Sequence, residues 1–300
     1  MQDKGFLPRP MLDLTFKALF GRETNKNLLL SLLNAVLERP GFVPLVEVTL
    51  QNPALDYEVI GEKHPLLDVK ARDEKGRIFN VEVQLAEQKT FPQRLLYYWS
   101  KIYAHQLAEG EHYVKLRPTI SVAFLDFALD EREGYSRRVV AWDETHHLIF
   151  SEHLEMVLFE LPKFSLELGE EIPSKRERWL YFLKEAKSMS TELLDQWKTP
   201  EIEQAIKELK KLSQDPQWRT SYLDREKALR DYISIMAEKF EDGWEKGIEK
   251  GMEKGMEKGM EAERLLFVRR LFAKGMEKKE IAELVGITEE EVAKLEATEG

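Results

Sequence analysis

Apolar and polar residues alternate through 67–83: Leu67, Val69 and Ala71 on one run, Phe79, Val81 and Val83 on the next. A period of two marks half-buried strands. Between the runs stand Glu74, Lys75 and Gly76. If these three form the loop, Gly76 takes the left-handed position of a type I turn with a G1 bulge. Leu67 then faces Val83, Val69 faces Val81 and Ala71 faces Phe79, so one surface of the hairpin is wholly apolar. A loop one residue shorter or longer would mix the two surfaces, which a half-buried sheet resists. The other surface carries Asp68 across from Glu82, Lys70 across from Asn80, and Gln84 two residues beyond Glu82.

Elsewhere the period changes to that of a helix. Residues 13–38 predict two helices broken at Gly21, the second with Leu28, Leu29, Leu32, Leu33, Val36 and Leu37 in one stripe. Residues 92–109 predict a helix ending at Gly110. The run 118–127 is almost entirely apolar and predicts a strand buried on both faces, with further strands at 137–142 and 154–161. After about residue 168 amphipathic helices with charged outer faces take over. The expected organisation is therefore a mixed α/β domain over 1–168, a helical region over 169–242, a repeat over 243–260 and a small helix-turn-helix-like tail over 261–300. In the repeat, Gly243, Gly247, Gly251, Gly255 and Gly259 recur every fourth residue, and Met252, Met256 and Met260 step with them. A helix whose glycine stripe lets a second chain approach, or a flexible spacer, would account for it. The tail has Thr288 and Glu291 spaced as a capping box, but its second helix opens on Glu289, Glu290 and Glu291. Those side chains suit packing or oligomerisation better than reading DNA.

Composition removes several classes of function. The chain has no cysteine, which excludes disulfide and thiolate chemistry. No run is apolar and long enough to span a bilayer, and the start lacks a secretory pattern, so a cytoplasmic protein is expected. The formal net charge of −10 means that any nucleic-acid contact must concentrate its positive charge locally.

Two carboxylates directly across a strand pair repel each other unless something neutralises them. A divalent cation does so, and magnesium is commonly held by one or two carboxylates. A solvated edge with Lys70 bridging the acids is the alternative. On the helix over 92–109, Arg94, Tyr98, Lys101 and His105 share one face, a basic and aromatic surface suited to a phosphodiester, with Gln106 beside it. Asp13 with Lys17, and Glu58, are minor acidic candidates, and His146 with His147 lacks any partner at zinc-type spacing.

Asp68, the hairpin and then Glu82-Val83-Gln84 resemble the PD-(D/E)xK nuclease signature, with glutamine where lysine is usual. The frame around it extends the likeness: DLTFKALFG at 13–21, NLLLSLLNAVL at 27–37, RLLYYWSKIYAHQLAEGEHY at 94–113 and LFELPKF at 158–164 fall in the order of the recombination-promoting nuclease (Rpn) family of transposase-like proteins. The resemblance implies a restriction-endonuclease-like mixed sheet flanked by helices, followed by an all-α C-terminal region. It implies a metal-dependent DNA endonuclease linked to recombination, mobile elements or phage defence. Asp68, Glu82 and the backbone carbonyl of Val83 would hold Mg²⁺ or Mn²⁺, and Gln84 would stand in the lysine's place. Lys70 on the same surface is a candidate for the missing charge, and Arg94, Tyr98, Lys101 and Gln106 for contacts to DNA. The competing reading is a nuclease-fold protein of weak or no activity that works as an oligomeric binding or regulatory module.

Overall fold

The computed structural model describes residues 7–51, 69–166, 173–186 and 199–297, and the chain divides into two compact units, residues 1–229 and 230–300. The first is built on a six-stranded sheet with order β1-β2-β3-β4-β6-β5. The strands are β1 (Val48–Leu50), β2 (Val69–Asp73), β3 (Ile78–Gln84), β4 (Thr119–Leu125), β5 (Ser136–Asp143) and β6 (Leu148–Glu160). β3, β4 and β6 run parallel; β1 and β2 on one side and β5 on the other are antiparallel to their neighbours.

The hairpin register expected from the alternation is the one formed: Val69 pairs with Val81, Lys70 with Asn80 and Ala71 with Phe79. Asp73 N–H donates to the Arg77 carbonyl at 3.1 Å, closing a loop of Glu74, Lys75 and Gly76, and Gly76 has φ +81°. β4 is buried along its whole length, as an apolar run between two parallel neighbours should be.

One face of the sheet rests on helices α1 (Asp13–Phe20), α2 (Lys26–Leu37), α4 (Lys175–Glu185) and α5 (Pro200–Gln214). Phe16 and Phe20 of α1, the leucine stripe of α2, Trp179 and Phe182 of α4 and Leu209 of α5 join Phe79, Val81, Val122, Phe124 and Phe159 in one core. α4 and α5, which the sequence sets in a helical region after residue 168, thus complete the floor beneath the sheet. Gly21 caps α1, where a Cβ would meet the Lys17 carbonyl oxygen at 2.9 Å.

The opposite face is covered by α3 (Phe91–Ala104), whose Phe91 and Leu95 pack on Ala123, Leu125, Met156 and Leu158. α3 is shorter than its sequence suggests. His105 caps it, and Gln106 is drawn away: its Nε2 donates to the Arg117 carbonyl at 3.0 Å and to Thr119 Oγ1 at 3.1 Å, while its Oε1 accepts from Arg117 N–H at 2.8 Å. Gly110 takes φ +81° in the following turn, not at the helix end.

The repeat is helical, part of α6 (Pro216–Ala273). In the second unit α6 residues Val268 and Leu271 pack with α7 (Lys278–Val285) and α8 (Glu289–Ala297) around Ile281, Ala282 and Val292. Thr288 and Glu291 close the expected capping box, Glu291 N–H donating to Thr288 Oγ1 at 3.2 Å and Thr288 N–H to Glu291 Oε2 at 2.8 Å. Among the described residues no helix is long and apolar enough to cross a membrane.

Candidate active site

The face under α3 carries the polar residues. Strand alternation puts Asn80, Glu82 and Gln84 of β3 on that face, with Lys70 beside Asn80 on β2 and Ser121 beside it on β4. Val83 points the other way, its side chain in the core beneath the sheet. Asp68 and Glu58 lie outside the described residues.

Glu82 is 6% exposed. Burial pushes its carboxyl pKa up, while the Arg94 charge and a hydrogen bond from Gln84 act the other way. Gln84, an amide, brings Glu82 no charge.

Arg94 enters from the first turn of α3. Its Nη1 donates to Gln88 Oε1 at 2.6 Å, its guanidinium carbon lies 5.6 Å from the Phe91 ring centroid, and its Nη2 is enclosed with no hydrogen-bond partner among the described residues. Lys70 is half-buried, and burial followed by the Arg72 charge pulls its pKa down. Tyr98 is half-buried against Tyr97, their ring centroids 5.3 Å apart, and Lys101 is exposed with its ammonium 4.9 Å from the Tyr97 centroid. Arg94 and Glu82 are thus brought together, whereas Lys101 lies on the outer surface and Gln106 is spent on the backbone at 117–119. Asp13 binds Arg225 through both carboxylate oxygens, a partner far along the chain. His146 is held within its own turn by Asp143 at 2.8 Å.

Sequence reasoning passed over Gln88 and Ser121. Ser121 Oγ and both ends of the Asn80 amide are wholly buried without a hydrogen-bond partner among the described residues, side by side in register two residues before Glu82. No local pattern signals this; it arises from the parallel pairing of β3 with β4.

The donor set bears on metal binding in a specific way. A buried carboxylate on a sheet strand, costly to keep charged, is what a divalent cation stabilises. Among the described residues no group of three acids or imidazoles gathers.

A mixed sheet with a buried acid on a central strand, a polar residue two positions on, and a basic helix above it defines an α/β fold of the restriction-endonuclease kind. Over residues 10–239 the chain matches the family described as PD-(D/E)XK nuclease family transposase, and it belongs to that family. No curated protein and no solved structure matches it.

Proposed function

We propose that this protein is a metal-dependent DNA endonuclease that hydrolyses phosphodiester bonds on the α3 face of the sheet. The observation that carries the reading is Glu82: a buried carboxyl at which the Arg94 charge is felt, in the Glu82-Val83-Gln84 stretch that resembles the nuclease signature. Asp68, which the sequence register sets across from Glu82, and the Val83 carbonyl are proposed as its companions in holding Mg²⁺ or Mn²⁺. When bound, such an ion lowers the pKa of a coordinated water and offsets charge building on phosphorus.

The chain's own residues do the rest. Glu82 contributes negative charge in a water-poor setting, where electrostatic effects are strongest. Gln84 fixes the orientation of the Glu82 carboxyl by hydrogen bonding. Arg94 faces the phosphate oxygens with a planar fork of donors. Tyr98 and Lys101 extend the contact along α3 for the flanking strand. A strongly acidic chain can do this because the cationic groups it needs are gathered on one helix. A DNA substrate is met in the cytoplasm, the compartment proposed for it.

A supercoiled-plasmid nicking assay with Mg²⁺ tests this. Wild type is expected to nick, and Asp68→Ala and Glu82→Ala to lose about 10²-fold or more of the rate. Equal rates for the three proteins would defeat the reading. No nicking by wild type would favour the non-catalytic binding module.

We further propose that the repeat of α6 pairs with a second copy of itself. Trp244, Ile248, Met252, Met256 and Met260 form an exposed row every fourth residue, and a Cβ placed on any of Gly243, Gly247, Gly251, Gly255 or Gly259 meets nothing within 4 Å. Rows of this spacing run at about −26° to the helix axis, and two such rows interdigitate at a crossing of about −50°. Flanking glutamates and lysines at the same spacing offer each copy opposite charges. Met252→Glu with Met256→Glu is expected to shift the full chain toward monomer in light scattering without loss of helix. An unchanged mass would remove the proposal.

A further inference from the structure

The PD-(D/E)xK signature that the Glu82-Val83-Gln84 stretch resembles ends in a lysine, and this chain has Gln84 there. If the nuclease reading holds, a cation must come from elsewhere. Lys101 is exposed on the outer surface of α3. Lys70 sits on β2, two strands from the parallel centre, with Arg72 as the charge felt at its ammonium.

Arg94 differs from both. Its charge is felt at Glu82, and its position is fixed on two sides: Nη1 donates to Gln88 Oε1 at 2.6 Å, and the Phe91 ring lies against the guanidinium. Gln88 is itself fixed, because its carbonyl accepts the N–H of Phe91 at 2.9 Å in the first turn of α3. The same residue therefore ties the connection after β3 to the helix and holds the arginine fork. The other arm, Nη2, is enclosed and has no acceptor among the described residues. A buried donor without an acceptor is costly and rare in folded proteins, unless a ligand completes it. Beside a carboxylate site the fitting acceptor is an anionic oxygen, and a guanidinium pairs with phosphate oxygens in the geometry of its fork.

We propose that Arg94 is the phosphate-facing cation of this site, standing in for the signature lysine that Gln84 replaces, and that Gln88 is its positioning residue. The inference rests on the nuclease reading for its chemistry, but one arm of its test does not.

The test is a charge relocation. Single-turnover plasmid nicking is measured for wild type, Arg94→Gln, Arg94→Gln with Gln84→Lys, Lys70→Gln, Lys70→Gln with Gln84→Lys, and Gln88→Leu, each with its melting temperature. Arg94→Gln is expected to lose about 10²–10³-fold, and adding Gln84→Lys to restore the rate to within about tenfold of wild type. Gln88→Leu is expected to lower the nicking rate about tenfold while leaving the affinity for DNA within about twofold. A purely structural arginine would not be rescued by a lysine placed on β3.

A second arm reads binding without chemistry, by fluorescence anisotropy of a short labelled duplex in EDTA over a salt series. Arg94→Gln is expected to reduce the slope of log affinity against log salt by about one, and Gln84→Lys to return it. If wild type does not nick but this slope pattern appears, the nuclease reading fails and the assignment of Arg94 stands. Rescue of Lys70→Gln but not of Arg94→Gln would overturn it, as would failure of Gln84→Lys to help Arg94→Gln in either arm. Wild type that neither nicks nor binds the duplex would overturn both.

Discussion

Glu82→Gln is expected to abolish nicking and, with divalent metal removed, to make the protein more stable. The two effects have one cause. Burial raises the Glu82 carboxyl pKa above its ordinary value, so the folded state holds this proton more tightly than the unfolded chain does. For a carboxyl shifted in this direction, stability is lost as pH rises from the ordinary glutamate range through the folded value, and stays lost above it. Glutamine keeps the shape and a hydrogen bond for Gln84 but never takes up charge. The melting temperature of Glu82→Gln is therefore expected to exceed that of wild type near neutral pH, and the gap to close as pH falls toward about 4. The rate of nicking should fall about 10²-fold or more. Melting curves in EDTA and a nicking assay read both effects. A less stable glutamine variant would mean that Glu82 is a structural acid.

The second large effect lies across the same end of the sheet. Glu160, wholly buried at the end of β6, is level with Leu125 of β4 and, beyond it, Gln84 of β3. It accepts hydrogen bonds from Arg137 Nε, from Leu129 N–H at 2.8 Å and from Lys163 Nζ at 2.8 Å. Arg137 also grips both oxygens of Asp130. Burial alone would raise the Glu160 pKa, but the Lys163, Leu129 and Arg137 bonds hold it below the ordinary carboxylate range. Arg137→Met leaves a buried carboxylate without its closest cation, a change that costs about 3–5 kcal/mol. The melting temperature of the first unit is expected to fall by roughly 6–20 °C, and adding Glu160→Gln to recover part of it. Because this carboxyl is depressed in the folded state, its contribution is present above the ordinary glutamate range and lost on acidification. Wild type should thus lose more stability toward low pH than Arg137→Met does. A variant that melts within about 1 °C of wild type would show that the network adds nothing.

Much of this fold could be read along the chain because its signals are local and mutually consistent. Alternation over 67–83 admits a single register once Gly76 supplies the left-handed turn, and the stripe of α2 needs no partner to be recognised. The end of α3 was less legible. Gly110 offers a good stop, but Gln106 gains three hydrogen bonds with the strand entrance at 117–119 and ends the helix earlier. Asp13 shows the same limit: an i,i+4 lysine is in view in the sequence, whereas the residue it binds is Arg225.

The site divides along similar lines. Glu82 and Gln84 stand out because, with Asn80, they fill alternate positions of a strand whose other residues are apolar. Arg94 stands out as a base on a helical face. Gln88 does not, since nothing in QLAEQKTF separates one glutamine from the other until α3 folds back over the sheet and brings Arg94 within 2.6 Å. Asn80 and Ser121 become neighbours only through a parallel pairing whose connection includes all of α3.

The most direct test of the central claim is a metal titration of nicking. Wild type and Glu82→Gln are stripped with EDTA, Mg²⁺ is restored stepwise, and the initial rate on supercoiled plasmid is followed. The account predicts a rate that rises with Mg²⁺ and saturates for wild type and stays at background for Glu82→Gln. Nicking by wild type in EDTA, or the same Mg²⁺ dependence in both proteins, would contradict it.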